Sequence, residues 1–272
     1  MYQATALKVN ALRKKSGAGM MDCKKALIEA AGDVDKAIEL LRKKGQKIAA
    51  SSGRETNQGA VIAKVNASRT LGIIINLSCE TDFVAKNENF VKLANDLAEK
   101  AIFCDTREAL LNTSLDGISV QDKLIEQTGI ICEKITLSAF KKLQAPFVSF
   151  YIHMRNKIAT LVGFSAAPVG VEDVAKDVAM QIAAMNPLSL NEKDIPTDLI
   201  EKELEIIKEQ LRKEGKSEQI LDQIAQGKLK KFFSENTLVH QSFIKDHKIS
   251  VADYVRNFDP NLKIVDFRRL SI

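Results

Sequence analysis

The chain has 272 residues, of which 45% are hydrophobic and 28% are charged. This is longer than one ordinary domain of roughly 100–200 residues, and the composition supplies both a core and a polar surface. It excludes a disordered chain, a collagen-like fibre and a small disulfide scaffold. No apolar segment reaches the ~18 residues of a membrane span, and no secretory signal precedes the first helix. We therefore expect a soluble, cytoplasmic protein.

Positive charge is concentrated at the start of the chain. The net charge of the whole chain is +5, but residues 1–53 contain 11 Lys and Arg against 5 Asp and Glu, a net charge of +6. This asymmetry predicts contact with an acidic partner, either a nucleic acid or an acidic protein surface. A solvated helical surface would have the same composition, so the charge alone leaves both interpretations open.

The first 45 residues predict three short helices. Asp22 is predicted to cap the second helix and Asp33 the third, because Asp side chains accept hydrogen bonds from the first free amides of a helix. Gly32 suits the left-handed turn that ends the second helix, and the third is expected to end near Gly45. Helices this short bury their apolar faces only against one another, so they predict a small bundle.

A hairpin followed by a helix is predicted twice in the rest of the chain. Runs rich in β-branched residues occur at residues 60–65 and 71–79, and a similar pair occurs at residues 147–152 and 158–164. An amphipathic helix is predicted after each pair. Recurrence of one unit predicts a duplicated α+β core.

A helical hairpin is predicted to be inserted into the second unit. Apolar residues are spaced there by four, three and four positions, at Ile200, Leu204, Ile207 and Leu211. This is a heptad pattern, which Gly215 interrupts before Ser217 caps a return helix. Two heptads favour pairing within the chain, or contact between two copies, over a long coiled coil. Residues 239–244 and 262–267 then predict strands that return to the second unit.

The fold class is therefore α+β, and we divide the chain into five parts. They are a three-helix module (residues 1–46), a linker (47–58), core subdomain N (59–143), core subdomain C (144–190 and 238–272) and the inserted helical hairpin (191–237).

No pattern in the chain is typical of an enzyme. A P-loop and a dinucleotide-binding glycine motif are both absent from the sequence. Cys79 and His153 could form a nucleophile and base, but Cys79 ends an apolar strand, where a buried thiol is far more common. The cysteines do not cluster with histidines, as a zinc site would require. We expect no catalytic residue, no bound metal and no cofactor.

Two adjacent methionines follow the first inter-helix turn. If Asp22 caps the second helix, Met21 can pack against Ala26 as a hydrophobic staple. That arrangement accounts for Met21 and leaves Met20 unexplained. A flexible thioether beside a basic helix is a plausible surface for a partner protein.

The segment after the second strand allows two interpretations. Thr81 or Asp82 can cap the turn there, and in the simpler interpretation, which the residues alone favour, Phe83 belongs to the core. In the other interpretation, a rigid turn presents the Asp82 carboxylate and the Phe83 ring to a partner. Burying a Phe contributes roughly 1.5–3 kcal/mol, which is enough to separate elements of a partner protein.

Two long motifs resemble a known family. Residues 12–27, LRKKSGAGMMDCKKAL, resemble the amino-terminal module of the bacterial elongation factor Ts family, and residues 81–86, TDFVAK, are similar to its hallmark core segment. The resemblance extends over residues 5–270. It implies a ubiquitin-associated-like three-helix module, a core of two subdomains and a helical hairpin for dimerisation.

The resemblance also implies a function. Members of this family are guanine-nucleotide exchange factors for elongation factor Tu in translation elongation, so this chain would make or break no bond. The implied contacts with the partner are Thr81, Asp82, Phe83 and Val84 near its Mg²⁺ ion, Leu12, Met20 and Met21 in the module, and His153 against its far domain. We expect self-association through residues 191–237, no membrane contact and no direct contact with nucleic acid.

The sequence departs from the family pattern at two places. Many members continue past the last core strand into a carboxy-terminal helix, whereas this sequence ends at Ile272. Either that contact is missing or residues 1–45 contribute more to docking. Met154 and Lys157 replace small and apolar residues beside His153. The alternatives are a basic RNA-associated protein of the translation apparatus and, less favoured, a cysteine hydrolase that uses Cys79.

Overall fold

A computed structural model describes residues 2–51 and 53–272, except for the side chains of residues 218 and 219. The helices are α1 (Ala6–Ser16), α2 (Met20–Glu29), α3 (Val34–Ala49), α4 (Asp82–Ala85), α5 (Glu88–Ala101), α6 (Arg107–Asn112), α7 (Val120–Ile131), α8 (Val171–Met185), α9 (Thr197–Lys213), α10 (Glu218–Asn236) and α11 (Val251–Phe258). The strands are β1 (Gln58–Val65), β2 (Leu71–Cys79), β3 (Ser114–Leu115), β4 (Ile118–Ser119), β5 (Thr136–Gln144), β6 (Phe147–His153), β7 (Ile158–Phe164), β8 (Ser242–Phe243), β9 (Asp246–Ser250) and β10 (Ile264–Ser271). The predicted α+β class is confirmed.

Helices α1, α2 and α3 form a bundle with its own apolar core. Leu12, Leu27 and Leu41 pack together there, and Asp33 caps α3 by accepting from the amides of residues 35 and 36. The predicted cap of α2 is wrong. This helix begins at Met20, so Asp22 lies within its first turn.

The third helix is longer than its sequence predicts. It continues through Gly45 to Ala49 and therefore occupies the start of the segment predicted as a linker. Gly45 does not end the helix. A glycine is required at this position for a different reason, because the backbone of α7 lies directly against it. A Cβ atom placed on Gly45 would lie 2.5 Å from the carbonyl oxygen of Ile125.

Two antiparallel sheets form the core. Their strand orders are β1-β2-β5 and β10-β7-β6. The sheets pack face to face through a shared apolar cluster that includes Ile74 of one sheet and Leu161 of the other. The opposite face of the first sheet packs on α5 through Ile73 and Ile75. The second sheet packs on α8 and α11. Because successive side chains of a strand point to opposite faces of the sheet, each sheet contributes one set of side chains to the layer between the sheets and another set to the layer beneath its helices.

The inserted hairpin consists of α9 and α10. These helices pack through Ile207 and Leu211 on the first and Leu221 and Ala225 on the second. The chain then returns to the second sheet through β10, which pairs with β7. The predicted strand at residues 239–244 is reduced to Ser242–Phe243. Within the described part of the chain, no helix combines the length and the apolar character needed to cross a bilayer.

Candidate functional site

A four-residue helix follows the end of β2. Thr81 has an extended backbone, and its Oγ1 accepts a hydrogen bond from the amide of Val84 at 3.4 Å. Thr81, one of the two residues predicted to cap this turn, is thus the N-cap of α4, whereas Asp82 is its first residue. The short helix fixes the direction in which residues 82–85 point their side chains.

Phe83 points away from the protein. Its side chain is 83% exposed, whereas Val84 and Ala85 pack against the core of the first subdomain. The interpretation of Phe83 as a core residue is therefore wrong. The turn of α4 explains the difference, because successive side chains on a helix point about 100° apart. An aromatic ring exposed to this degree is available for burial by a partner.

Asp82 presents a charged group beside that ring. Lys86 donates from Nζ to Asp82 Oδ2 at 2.5 Å. This hydrogen bond lowers the pKa of Asp82, and the charge of Lys157 lowers it further. Asp82 is therefore ionised at neutral pH. The corner formed by residues 81–84 thus offers a carboxylate and an aromatic ring side by side.

Glu133 binds the base of this corner. Its Oε2 accepts from the amides of Glu80 at 3.1 Å and Thr81 at 2.9 Å, and its Oε1 accepts from the Thr81 hydroxyl at 2.6 Å. The sequence carries no signal for this role, because Glu133 lies 52 positions from Thr81 in a loop with no recognisable motif.

Glu80 forms a second connection at the same place. Its Oε1 accepts from the amide of Lys134 at 2.6 Å and from Arg54 Nη1 at 2.8 Å. Arg54 also donates to the carbonyl oxygen of Cys132 at 3.2 Å. Burial raises the pKa of Glu80, but these donors outweigh it and the net pKa is lowered. Arg54 and the loop after α7 are thus both hydrogen-bonded to Glu80, which directly precedes the exposed corner.

Cys79 is a buried thiol. Burial and the nearby charge of Glu133 raise its pKa to about 12, and Sγ donates to the carbonyl oxygen of Thr81 at 3.2 Å. A thiol with this pKa is protonated at neutral pH, whereas the nucleophilic form is the thiolate. This environment disfavours the cysteine hydrolase alternative.

Met20 and Met21 lie on the surface of the three-helix module. Both belong to the first turn of α2, and they are 52% and 61% exposed. Met21 therefore does not act as the predicted staple. Leu12 is fully buried in the module core. It cannot contact a partner directly in this fold, so we correct its implied role to support of the surface formed by α2.

His153 ends β6 and is exposed. Its Nδ1 lies 3.1 Å from the hydroxyl of Tyr151, and the two rings are stacked. A tight turn follows at residues 154–156, all with positive φ. The carbonyl of Asn156 accepts from the amide of Val61 at 2.7 Å, so this turn lies against the first sheet. Lys157 Nζ lies 3.5 Å from Gln58 Oε1, and Gln58 pairs with Cys79 in the first sheet, so the turn lies near the start of the exposed corner.

The described residues contain no group of three or more His, Cys, Asp or Glu side chains that could hold a metal ion. The candidate contacts with a partner protein lie in three places on the surface. They are the corner at residues 81–84, the methionines of α2 and His153.

The three-helix module, duplicated α+β core and helical hairpin form the architecture that the resemblance implies. A family model described as Elongation factor TS matches residues 80–272. The chain is 58% identical to Elongation factor Ts of Christiangramia forsetii and 54% identical to that of Flavobacterium psychrophilum, in both cases over the full length of the two proteins. It is 43% identical to Elongation factor Ts of a Hydrogenobaculum species over 97% of each chain. The chain belongs to the elongation factor Ts family.

Proposed function

We propose that this protein promotes GDP release from elongation factor Tu during translation elongation in the cytoplasm. Family membership implies guanine-nucleotide exchange on that partner. The observation that carries the mechanism is the exposure of Phe83 beside an ionised Asp82 on a hydrogen-bonded corner. The chain itself makes or breaks no covalent bond in this process and uses no cofactor.

The corner acts on the metal and phosphate site of the partner. A GTPase holds GDP with a phosphate-binding loop and a Mg²⁺ ion that requires near-octahedral oxygen ligands. In our proposal Thr81, Asp82, Phe83 and Val84 reach this site, and Phe83 inserts between elements of the nucleotide-binding domain. The ion is displaced, and the diphosphate loses the charge that neutralises it.

The remaining surfaces hold the corner in place. Met20 and Met21 dock the three-helix module on the nucleotide-binding domain, and His153 contacts the far domain of the partner. Elongation factor Tu binds both GDP and this protein, and the coupling between the two is reciprocal. GDP therefore weakens the binding of this protein as much as this protein weakens the binding of GDP. A ~10⁴-fold effect requires about 5.5 kcal/mol of differential binding. Phe83 alone cannot supply this, which is why the proposal includes all three surfaces.

We also propose self-association through residues 191–237. Ile206 of α9 and Ile220 of α10 are exposed, although both helices already pack against each other. Exposed branched side chains on such a helical hairpin are suited to contact with a second copy. The proposed domain division places this hairpin outside both core subdomains.

The test of the proposed function is direct. Elongation factor Tu loaded with a fluorescent GDP is mixed with excess GDP, with and without this protein, and nucleotide release is followed by stopped-flow fluorescence. Acceleration that depends on the concentration of this protein supports exchange. Release at the spontaneous rate at every concentration would contradict it.

The basic charge of residues 1–53 favours one second candidate, an RNA-associated protein of the translation apparatus. RNA binding through this segment would weaken steeply as salt rises, because phosphate contacts release counterions. Sequence-specific RNA recognition commonly uses aromatic platforms, and residues 3–53 contain no aromatic residue. Exchange activity that added RNA leaves unchanged would count against this candidate.

A further inference from the structure

The helix that carries Phe83 is too short to be stable alone. Helix α4 contains four residues, and forming the first turn of a helix is unfavourable because several dihedral angles are fixed for one hydrogen bond. Its exposed ring makes few contacts that could orient it. The direction of Phe83 must therefore be set by the groups that fix the ends of α4.

The amino-terminal end is fixed through Thr81. This residue accepts from the amide of Val84 through Oγ1 and from the amide of Ala85 through its carbonyl oxygen. Its own amide and hydroxyl both donate to Glu133. Cys79 also donates from Sγ to the Thr81 carbonyl oxygen at 3.2 Å, but the amide and the hydroxyl of Thr81 are both held by Glu133, which therefore holds the cap rather than the helix itself.

Glu133 is itself on a fixed part of the chain. The preceding residue, Cys132, ends α7 in the left-handed conformation with φ of 63°. The following residue, Lys134, donates from its amide to Glu80 and from Nζ to the carbonyl oxygen of Ser51 at 2.9 Å. The Glu133 carboxylate therefore connects the corner to α7 and to the segment after α3.

We propose that Glu133 is a positioning residue for nucleotide exchange, which acts by holding Thr81 and thereby orienting Phe83. This inference rests on the proposed function. In this role Glu133 contacts neither the nucleotide nor the metal of the partner. A carboxylate suits the role, because it has acceptor sites for three donors at once, and hydrogen bonds to a charged acceptor are stronger than neutral ones.

The first test requires no partner. Glu133→Gln retains the size of the side chain but turns one acceptor oxygen into a donor amide. Hydrogen exchange of the Val84 and Ala85 amides should become about tenfold faster, since a hydrogen bond to a charged group is lost. Glu88→Gln is the matched control, because Glu88 is exposed at the start of α5 and its replacement changes the net charge equally. This control should leave both amides unchanged.

The second test measures exchange. At saturating concentration, Glu133→Gln should lower the maximal rate of GDP release about tenfold, while the concentration for half-maximal acceleration stays close to wild type. A residue that contributes only to stability would not lower the maximal rate while leaving the half-maximal concentration unchanged. In the Phe83→Ala background, Glu133→Gln should cause no further loss, because the ring through which it acts is gone.

Three results would overturn the inference. They are unchanged exchange of both amides in Glu133→Gln, a maximal rate equal to wild type, and a loss that multiplies with that of Phe83→Ala. Thr81→Val replaces the hydroxyl with a methyl group, which removes the donor to Glu133 together with the acceptor of the Val84 amide, and it should reproduce the loss of rate if Glu133→Gln fails to fold. If the wild-type protein does not accelerate GDP release, the proposed function fails, and the hydrogen-exchange experiment still tests the role of Glu133.

Discussion

Gly129 of α7 packs against Gly45 of α3. A Cβ atom on Gly129 would lie 3.3 Å from the Cα of Gly45 and 2.9 Å from the carbonyl oxygen of Leu41. Two helices can approach this closely only where both lack side chains. The contact joins the three-helix bundle to α7, and Glu133, two residues after α7, is hydrogen-bonded to Thr81, so the bundle and the Phe83 corner are connected through α7.

Gly129→Ala should loosen this contact. The added methyl group has no space at the helix crossing, and overpacking of this kind costs about 1–3 kcal/mol. We expect a lower free energy of unfolding in urea and faster proteolysis within residues 50–57. Gly227→Ala is the matched control. No atom lies within 4 Å of a Cβ there, so the substitution within α10 should stabilise the protein by about 0.5–1 kcal/mol. Stabilisation by both substitutions would contradict the close packing.

The ion pair between Asp22 and Lys44 should make the module sensitive to acid. Lys44 Nζ donates to Asp22 Oδ1 at 2.7 Å and to Cys132 Sγ at 3.3 Å, and the Cys132 thiol donates to Asp22 Oδ2. The hydrogen bond from Lys44 lowers the pKa of Asp22 below its ordinary 3.8. The pair therefore stabilises the fold above that pH, and the contribution is lost as pH falls through the lowered pKa.

Lys44→Met should remove this acid dependence. The variant should be less stable than wild type by about 0.5–1 kcal/mol at pH 6, as expected for a partly exposed ion pair, and the difference should shrink below pH 4. Urea unfolding across this pH range measures it. Lys43→Met removes an exposed pair with Glu39 within α3 and is the control. A difference for Lys44→Met that stays constant from pH 6 to pH 3 would refute the assignment.

Cys79 should resist alkylation in the folded protein. With a pKa of about 12, only on the order of 10⁻⁴ of the thiol is ionised at pH 8, and the side chain is fully buried. Treatment with iodoacetamide followed by peptide mass spectrometry should show modification first at the partly exposed Cys132. Cys79→Ser should leave GDP release intact. Early modification of Cys79, together with loss of activity in Cys79→Ser, would favour a nucleophilic role instead.

If the protein self-associates through the hairpin, a charge introduced on the exposed face of α10 should weaken that association. Ile220→Glu places a carboxylate on the exposed face of α10, and burying an unpaired charge at an interface is strongly unfavourable. Sedimentation equilibrium should show a shift toward the monomer. Val169→Glu, at an exposed position before α8, is the control and should leave the association unchanged. A wild-type protein that is monomeric at all accessible concentrations would exclude the contact.

Local features of the structure were predictable from the sequence, and long-range contacts were not. Thr81 and Asp33 were predictable as helix caps, because a cap bonds backbone amides only two or three positions further along the chain. Gly45 suggested a helix end, but the reason for a glycine there is contact with Ile125 and Gly129 of α7, which lie 80 and 84 residues later. Glu133 was missed for the same reason. Leu12 shows the limit of family motifs, which do not separate residues that form a surface from those that support it.

The central claim is that the Phe83 ring promotes nucleotide release. Phe83→Ala should keep the fold, since the ring is exposed, and should retain much of the affinity for elongation factor Tu. Phe103→Ala is the matched control, because that ring is 87% exposed just beyond the carboxyl end of α5, whereas the corner precedes the amino-terminal end of this helix.

Stopped-flow release of fluorescent GDP from elongation factor Tu, at saturating concentrations of each protein, is the most direct measurement. We predict that Phe83→Ala releases GDP about 10- to 100-fold more slowly than wild type, as the loss of one buried phenylalanine implies. Phe103→Ala should match wild type. Release at the wild-type rate by a folded Phe83→Ala protein would contradict the account.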